Sequence, residues 1–146
     1  NAPNGDVWGV SAAEDHGVAR AFVRTPDGIR NVTGLPVAAY SNLAIRTAED
    51  VWFSGGLVAF HDGTRTQPAG EGILVHFDGH AFKRYRGPDG ALLSVAAVGP
   101  GEAWAVGLDG GMVHVKGEVA TAYHLEQEGA RQRVALRAVA ARHSMP

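Results

Sequence analysis

Three tryptophans in this 146-residue chain follow the same short pattern, an acidic residue and then a small apolar residue. The pattern reads GDVW at residues 5–8, EDVW at residues 49–52 and GEAW at residues 101–104. The intervals between the tryptophans match a repeating unit of about 40–50 residues, the length of one supersecondary unit in many repeat proteins. The chain is therefore expected to consist of successive copies of one unit.

Each copy continues with segments that alternate apolar and polar residues, as half-buried strands do. The segment after Trp52 reads GILVHFDGHAFKRY and the segment after Trp104 reads GMVHVKGEVATAY, each a strand, a two-residue turn and a strand. A further apolar strand precedes each of these tryptophans, in LAIRT and LLSVAAV. The 20 glycines and 7 prolines also favour short strands joined by turns. The unit is thus predicted to be four antiparallel strands, A to D, with tryptophan on strand B.

This repeat divides the chain into consecutive units. The approximate units are residues 1–40, 41–91 and 92–133, with residues 134–146 the inner strand of a following or closing unit. The apolar residues of the strands are expected to be buried. They are Leu43, Val51, Trp52, Val75, Leu93, Val95, Trp104, Val106, Val113 and Leu136.

The repeats resemble those of bacterial β-propellers with an Asp-Val-Trp-Ala-Val-Gly core, akin to Asp-box and Kelch-type blades, and the resemblance extends over essentially the whole chain. It implies an all-β fold, a propeller arc of about three four-stranded antiparallel blades that is a half-propeller or a fragment of a larger ring. The tryptophans would then fill the wedge between blades, and Asp6, Asp50 and Glu102 would bond backbone N–H groups in turns. The segment HFDGHAF lacks the Ser and Thr of an Asp box, so a sialidase is not implied.

The order of strands at the two ends bears on assembly. The chain opens on a B strand, NAPNGDVW, and closes on an A strand, LRAVAARHSMP. Three blades are fewer than the roughly four to eight of an ordinary propeller ring. We therefore expect either a homodimer or a longer polypeptide to complete the propeller.

Charge and composition exclude several classes of partner. Lys and Arg number 13 against 15 for Asp and Glu, a formal net charge of −2, which gives no electrostatic attraction for nucleic acid. The chain has no cysteine, so disulfides and thiolate chemistry are excluded. Its longest apolar runs are far shorter than the roughly 20 residues of a membrane-spanning helix. No motif calls for a cofactor or a metal ion.

Candidate binding residues come from the loops. Ligands of the propellers that this chain resembles meet the face that carries the B–C and D–A loops. The B–C connection is LDGG in the third unit, SAAEDHG in the first and GGLVAFHDGTRTQPAGEG in the second. Connections longer than about twelve residues are usually functional or disordered, and residues 57–72 are expected to be the most mobile internal segment. The candidate ligand-binding residues are Glu14, Asp15, His16, Tyr40, His61, Asp62, Arg65 and Arg131, with Tyr40, His61, Arg65 and Arg131 expected to be exposed.

Some of these residues also have a structural interpretation. The sequence HDG at residues 61–63 can simply turn a small extra hairpin, LVAFHDGTRT. His76 and His114 occupy the same place in strand C of successive units. A repeated position indicates a repeated structural task, so each ring nitrogen is expected to bond a neighbouring strand or loop.

Two functions fit the sequence. The favoured hypothesis is a non-enzymatic recognition module, extracellular or periplasmic, that presents its B–C loops to a glycan, a cell-wall polymer or a protein. The alternative is a polysaccharide-active lyase or hydrolase in which Asp15, His16, His61 and Asp62 serve as acid and base. The same imidazoles and carboxylates offer nitrogen and oxygen ligands for a metal, but their spacing matches no stereotyped motif. Whether the protein is an enzyme stays open at this point.

Overall fold

Antiparallel β-strands form nearly all of the regular structure in the computed structural model, which describes residues 5–11, 19–61, 63, 66–126 and 135–141. The first sheet contains β1 (Val7–Val10), β2 (Ala21–Thr25) and β3 (Gly28–Val32). The second contains β4 (Ala39–Thr47), β5 (Asp50–His61), β6 (Thr66–Phe77) and β7 (Phe82–Arg86). The third contains β8 (Leu92–Gly99), β9 (Glu102–Gly107), β10 (Gly111–Lys116) and β11 (Val119–His124). Among the described residues the only helical element is a 3₁₀ turn at Leu108–Gly110. The all-β prediction is confirmed.

Strand order repeats from sheet to sheet. Each sheet is an antiparallel meander whose strands are neighbours in chain order, with three strands in the first sheet and four in each of the others. The tryptophans lie on β1, β5 and β9, so each belongs to a different sheet. Trp52 lies opposite His76 and Trp104 opposite His114, whereas Trp8 lies opposite Val23. The sequence repeat is therefore also a repeat in register.

The sheets pack face to face through two apolar layers. Trp8 on the first sheet packs in one layer with Phe53 and Phe77 of the second sheet, its ring centroid 6.4 and 5.4 Å from theirs. Trp52 on the opposite face of the second sheet packs in the other layer against the third sheet, which contributes Val113 among others. Because side chains alternate between the faces of a strand, each of these two tryptophans points toward the next sheet along the chain.

The predicted core is largely correct. The buried members of that set are Val51, Trp52, Val75, Val95, Val106 and Val113. The half-buried members are Leu43, Leu93, Trp104 and Leu136. Full burial of Trp104 was wrong because its neighbours Ala103 and Ala105 face the second sheet, and alternation turns Trp104 to the other face, which no described sheet covers.

Two glycines allow inner strands to approach closely. A Cβ built on Gly55 would lie 2.1 Å from the Ala39 carbonyl oxygen, and one built on Gly107 would lie 2.0 Å from the Ala91 carbonyl oxygen. Gly55 pairs with Tyr40 and Gly107 with Leu92, which is the same place in two successive sheets. Only glycine fits where backbones come this close.

The segment of residues 135–141 follows the third sheet without joining it. The Leu136 N–H donates to the Gly107 carbonyl at 2.8 Å, and the Val139 N–H donates to the Ser94 hydroxyl at 3.3 Å. The segment therefore runs beside β8. The predicted strand at these residues is not formed, because no described strand lies next to the segment to complete a ladder.

No helix in the described part of the chain is long and apolar enough to cross a membrane.

Candidate functional site

The central hairpin of the second sheet extends beyond the rest of that sheet. The neighbouring strand β4 pairs with β5 no further than Gly56, and β7 pairs with β6 no further than Ile73. Past these points β5 and β6 pair only with each other, as far as His61 opposite Thr66. The extra hairpin that HDG suggested is thus confirmed. We call residues 57–61 and 66–71 the β5–β6 ribbon.

The described side chains of the ribbon are mostly apolar or small. Leu57 packs against the apolar layer between the first and second sheets, while Val58 is 56% exposed. At the base, the Glu71 carboxylate accepts from the Arg86 guanidinium, with Oε1 and Nε 3.1 Å apart. A bulge lies between Gly56 and Val58, and bulges increase the local twist of a hairpin.

Both outer edges of the ribbon carry backbone groups that no described strand pairs. An edge strand presents N–H and C=O groups that can template another strand. On β6 this capacity is reduced by Pro68, which lies opposite Ala59 and has no N–H to donate. The β5 edge, with the sequence LVAF at residues 57–60, contains no proline. The β5 edge is therefore the more favourable one for pairing.

The third sheet lacks this ribbon. Its β9–β10 connection is the single 3₁₀ turn at Leu108–Gly110, in which Asp109 adopts a left-handed conformation with φ of 56°. The first-sheet counterpart, residues 12–18, lies outside the described residues. Between the two connections that are described, the ribbon is an addition to a common unit.

Most of the predicted site residues cannot be placed relative to one another. Glu14, Asp15, His16, Asp62, Arg65 and Arg131 lie outside the described residues. His61 lies at the tip of β5, and its backbone pairs with Thr66. The acid–base group of the enzyme hypothesis, Asp15, His16, His61 and Asp62, therefore stays a prediction.

Tyr40 is the exception, and its expected exposure is wrong. The residue is only 8% exposed, and its hydroxyl donates to the Pro36 carbonyl at 2.7 Å. Its ring meets Phe53 edge-on with centroids 6.0 Å apart. Burial raises the pKa of the Tyr40 hydroxyl well above its usual value. Tyr40 is a core residue because β4 alternates its side chains and this one faces the first sheet.

The acid of the second repeat organises a buried polar cluster. Asp50 Oδ1 accepts from Trp52 Nε1 at 2.9 Å and lies 2.8 Å from His76 Nε2. Asp50 Oδ2 accepts from Arg46 Nε at 2.6 Å and from the Gly101 amide at 3.4 Å. Asp50 thus bonds mainly side chains, rather than the turn amides that were expected, and it reaches the next sheet.

The electrostatics of this cluster favour a charged carboxylate. Burial on its own would raise the pKa of Asp50, but the hydrogen bonds, with that from Arg46 foremost, outweigh burial and hold the pKa below the usual aspartate value. The His76 ring also stacks on Trp52, with centroids 4.1 Å apart. The structural role predicted for His76 is confirmed.

The third repeat builds a similar cluster with a glutamate. His114 Nε2 lies 2.8 Å from Glu102 Oε1, and the His114 ring stacks on Trp104 with centroids 4.3 Å apart. Tyr123 also stacks on Trp104, with ring centroids 5.5 Å apart, as Tyr85 stacks on Trp52 at 6.0 Å. The structural role predicted for His114 is confirmed as well.

The first repeat departs from this pattern. Val23 stands opposite Trp8 where the other sheets have histidine. Trp8 Nε1 is buried and has no hydrogen-bond partner among the described residues. The polar cluster thus belongs to the second and third sheets.

Sequence reasoning missed Arg46 and the two tyrosines of these clusters. The tyrosines had a signal, since AFKRY and VATAY both place one at the end of strand D. Arg46 had none, because the third repeat carries the apolar Val98 at the corresponding position. No group of three or more His, Cys, Asp or Glu within the described residues is arranged to hold a metal ion.

Comparison with protein-family models, with curated proteins and with solved structures finds no significant match for this chain.

Proposed function

We propose that the three sheets are consecutive blades of a β-propeller and that the protein is a non-enzymatic recognition module whose β5–β6 ribbon binds a partner protein. The observation that carries the proposal is the ribbon itself. It extends the second blade by a two-stranded segment that the third blade lacks. The two blades otherwise agree in strand register, in the stacking of histidine on tryptophan and in the glycines that let strands approach closely. Binding residues are found disproportionately on segments added to a rigid scaffold, so the ribbon is the favoured place for a binding function.

The ribbon favours recognition by strand addition. In that mode an extended segment of the partner pairs with an exposed sheet edge, so that main-chain hydrogen bonds supply affinity and alternate side chains supply specificity. The β5 edge, which no described strand pairs beyond Gly56, and the exposed Val58 on it fit this mode. A protein is favoured over a glycan because Tyr40, the tyrosine among the candidate ligand-binding residues, lies in the core and offers no exposed ring for a sugar to stack on.

The described histidines and acids support a binding role over an enzymatic one. His76 and His114 each stack on a tryptophan and pair with an acid, in the same register of two successive sheets. A geometry repeated between blades serves the scaffold, whereas a catalytic group is needed only once. No observation among the described residues favours the polysaccharide-active alternative.

The proposal is tested by removing the ribbon and keeping the blade. Replacing residues 56–72 with the Leu-Asp-Gly tripeptide of the third sheet joins Gly55 to Ile73 in the way that Gly107 is joined to Gly111. We expect this variant to fold and to lose the proteins that the unaltered chain retains in affinity capture from its source cells. Retention of the same proteins by the shortened variant would contradict the proposal.

A point variant tests whether the partner pairs with the edge of the ribbon or only needs the ribbon to be present. Val58→Lys places a charge on the free edge, a device by which natural sheets block edge pairing. Ala120→Lys is the matched control, since Ala120 is exposed on the outer strand of another sheet. We expect loss of capture with Val58→Lys alone. Equal capture by both variants would argue against strand addition.

A further inference from the structure

The third sheet carries on its outer face the same aromatic set that the second sheet buries. On the second sheet, Trp52, His76 and Tyr85 are covered by the third sheet, and the Tyr85 hydroxyl donates to the Gly117 carbonyl at 2.8 Å. Lys83 and Glu118 add an ion pair across the same junction. This junction shows what kind of surface fits on such a face, namely the face and the hairpin turn of another sheet.

The corresponding residues of the third sheet are Trp104, His114 and Tyr123, which we call the terminal face. Trp104 is half-buried and Tyr123 is 43% exposed. Val119, on the same side of β11, is 64% exposed. No described residue of the chain covers this face as the third sheet covers Trp52. A stacked Trp, His and Tyr with an adjacent exposed valine is an apolar patch of the kind that marks an interface.

We propose that the terminal face binds the first sheet of a second copy of this chain, so that two chains close into one ring. The outer face of the first sheet has suitable chemistry. Val7 and Phe22 lie there half-buried, and Ile29 is 71% exposed. A Cβ on Gly9 would lie 2.1 Å from the Phe22 ring, so the ring lies flat over Gly9. The first sheet thus offers Phe22 and Ile29 to Trp104 and Tyr123, with the exposed Arg24 between Val7 and Ile29 on the same face.

The segment of residues 135–141 provides a second surface that fits the first sheet of another copy. It runs beside β8 much as β8 runs beside β4, where the Ser41 hydroxyl donates to the Leu92 carbonyl at 2.6 Å. Its sequence LRAVAA matches LLSVAA of β8. The first sheet, in turn, has three strands where the others have four, and its β1 pairs only with β2 among described strands. The segment belongs to no described sheet, and the first sheet lacks a strand at the matching inner position. The segment of one chain is therefore expected to pair with the first sheet of the other.

The register of the third sheet fixes the expected register of this pairing. Ala97 lies opposite Ala103 in the third sheet. Ala141 corresponds to Ala97, and Val7 corresponds to Ala103. Ala141 of one chain is therefore expected opposite Val7 of the other.

A second copy is favoured because the terminal face and the outer face of the first sheet point away from each other across the three described sheets. The second sheet packs between the first and the third, with an apolar layer on each side. Two chains supply six sheets, which falls within the range of about four to eight for closed propellers. The two junctions are related by a two-fold axis, the commonest symmetry of protein oligomers.

Sedimentation velocity tests the assembly. One chain has a mass of 15.3 kDa, and the sedimenting species is expected to have twice that mass. Tyr123→Asp is expected to weaken dimerisation by about tenfold or more, since a buried charge without a partner is costly in an interface. Ala120→Asp, on the opposite side of the same strand, is the control and is expected to stay dimeric. Circular dichroism is the check that each variant is folded.

Cysteine cross-linking tests the register. The chain has no cysteine of its own, and opposite residues of an antiparallel pair have Cβ atoms about 4.5–5.5 Å apart, close to disulfide reach. The pair Val7→Cys and Ala141→Cys is expected to give covalent dimers on oxidation. The mismatched pair Val7→Cys and Arg137→Cys, and each single variant, are expected not to.

Three results would overturn the proposal. They are a monomeric unaltered chain, a dimer that Tyr123→Asp leaves intact, and cross-linking that does not depend on register. The variant that lacks the β5–β6 ribbon is expected to remain a dimer, so failure of the assembly and failure of the ribbon's binding role are distinguishable.

Discussion

Asp50 joins two sheets through a single carboxylate. It is 5% exposed and bonds Trp52, His76 and Arg46 of its own sheet, and it also accepts from the Gly101 amide of the next sheet. Because its pKa is lower in the folded protein than in an unfolded chain, its ionised form stabilises the fold. The stabilisation is fully present above the unfolded-state pKa and is lost as pH falls through the folded-state pKa.

We predict that Asp50→Asn reduces stability at neutral pH and flattens its decline in acid. The expected loss at pH 7 is about 1.5–3 kcal/mol, the range for hydrogen bonds to a charged group. Urea unfolding between pH 7 and pH 3 measures both effects. Asp89→Asn, at an exposed position, is the control. A variant whose stability declines with acid as steeply as the unaltered protein would show that Asp50 does not carry this dependence.

The tryptophans are predicted to differ in what their ring nitrogens contribute. Trp52 Nε1 donates to Asp50, whereas Trp8 Nε1 is buried without a partner among the described residues. Trp52→Phe is therefore expected to be more destabilising than Trp8→Phe, by about 2 kcal/mol. Both substitutions remove a similar ring volume, so the difference between their unfolding free energies isolates the hydrogen bond. Equal losses would mean that the Trp52 bond contributes nothing net.

At the scale of the strands, the β5–β6 ribbon is predicted to be dispensable for folding. Its described side chains other than Leu57 make little contact with the apolar layers. Shortening a connection changes the closure free energy by only about 0.6 kcal/mol per halving of its length. Replacement of residues 56–72 by Leu-Asp-Gly is thus expected to change the unfolding free energy by about 1.5 kcal/mol or less. Failure of that variant to fold would place the ribbon in the core of the second sheet.

The strands were predictable where local chemistry decides them. Alternation in ILVHF and MVHV, with a glycine-containing turn after each, predicts hairpins from neighbours in sequence. The turn expected at Asp78-Gly79 is longer than two residues, because Phe77 pairs with Phe82, and the turn expected at Lys116-Gly117 is shifted by one residue to Gly117 and Glu118. The repeat then identified which strands share a sheet. The burial of Tyr40 was not predictable, because a single tyrosine near a loop does not reveal which face of β4 it takes. The half-burial of Trp104 depends on whether another sheet covers the outer face of the third sheet, and no local pattern encodes that.

At the scale of the whole molecule, the repeat explains both which residues are buried and which are left exposed. Trp8 faces the second sheet and Trp52 faces the third. Trp104 faces outward in the same sense, on a sheet with the same stack of His and Tyr. The same packing of each tryptophan against the next sheet accounts for two internal junctions and predicts a third, for which we propose a second copy of the chain. The candidate binding residues on loops outside the described residues could be proposed from loop length and composition alone.

Exchange of the tryptophan indole N–H protons, monitored by NMR, tests this packing rule most directly. In the dimer, Trp8, Trp52 and Trp104 are all expected to exchange slowly, because each is covered by the next sheet of the ring. In the Tyr123→Asp variant, Trp8 and Trp52 are expected to stay slow while Trp104 alone becomes fast. If Trp52 exchanged as fast as an exposed indole, or if Trp104 were equally protected in a Tyr123→Asp monomer, the successive face-to-face packing of these sheets would be wrong.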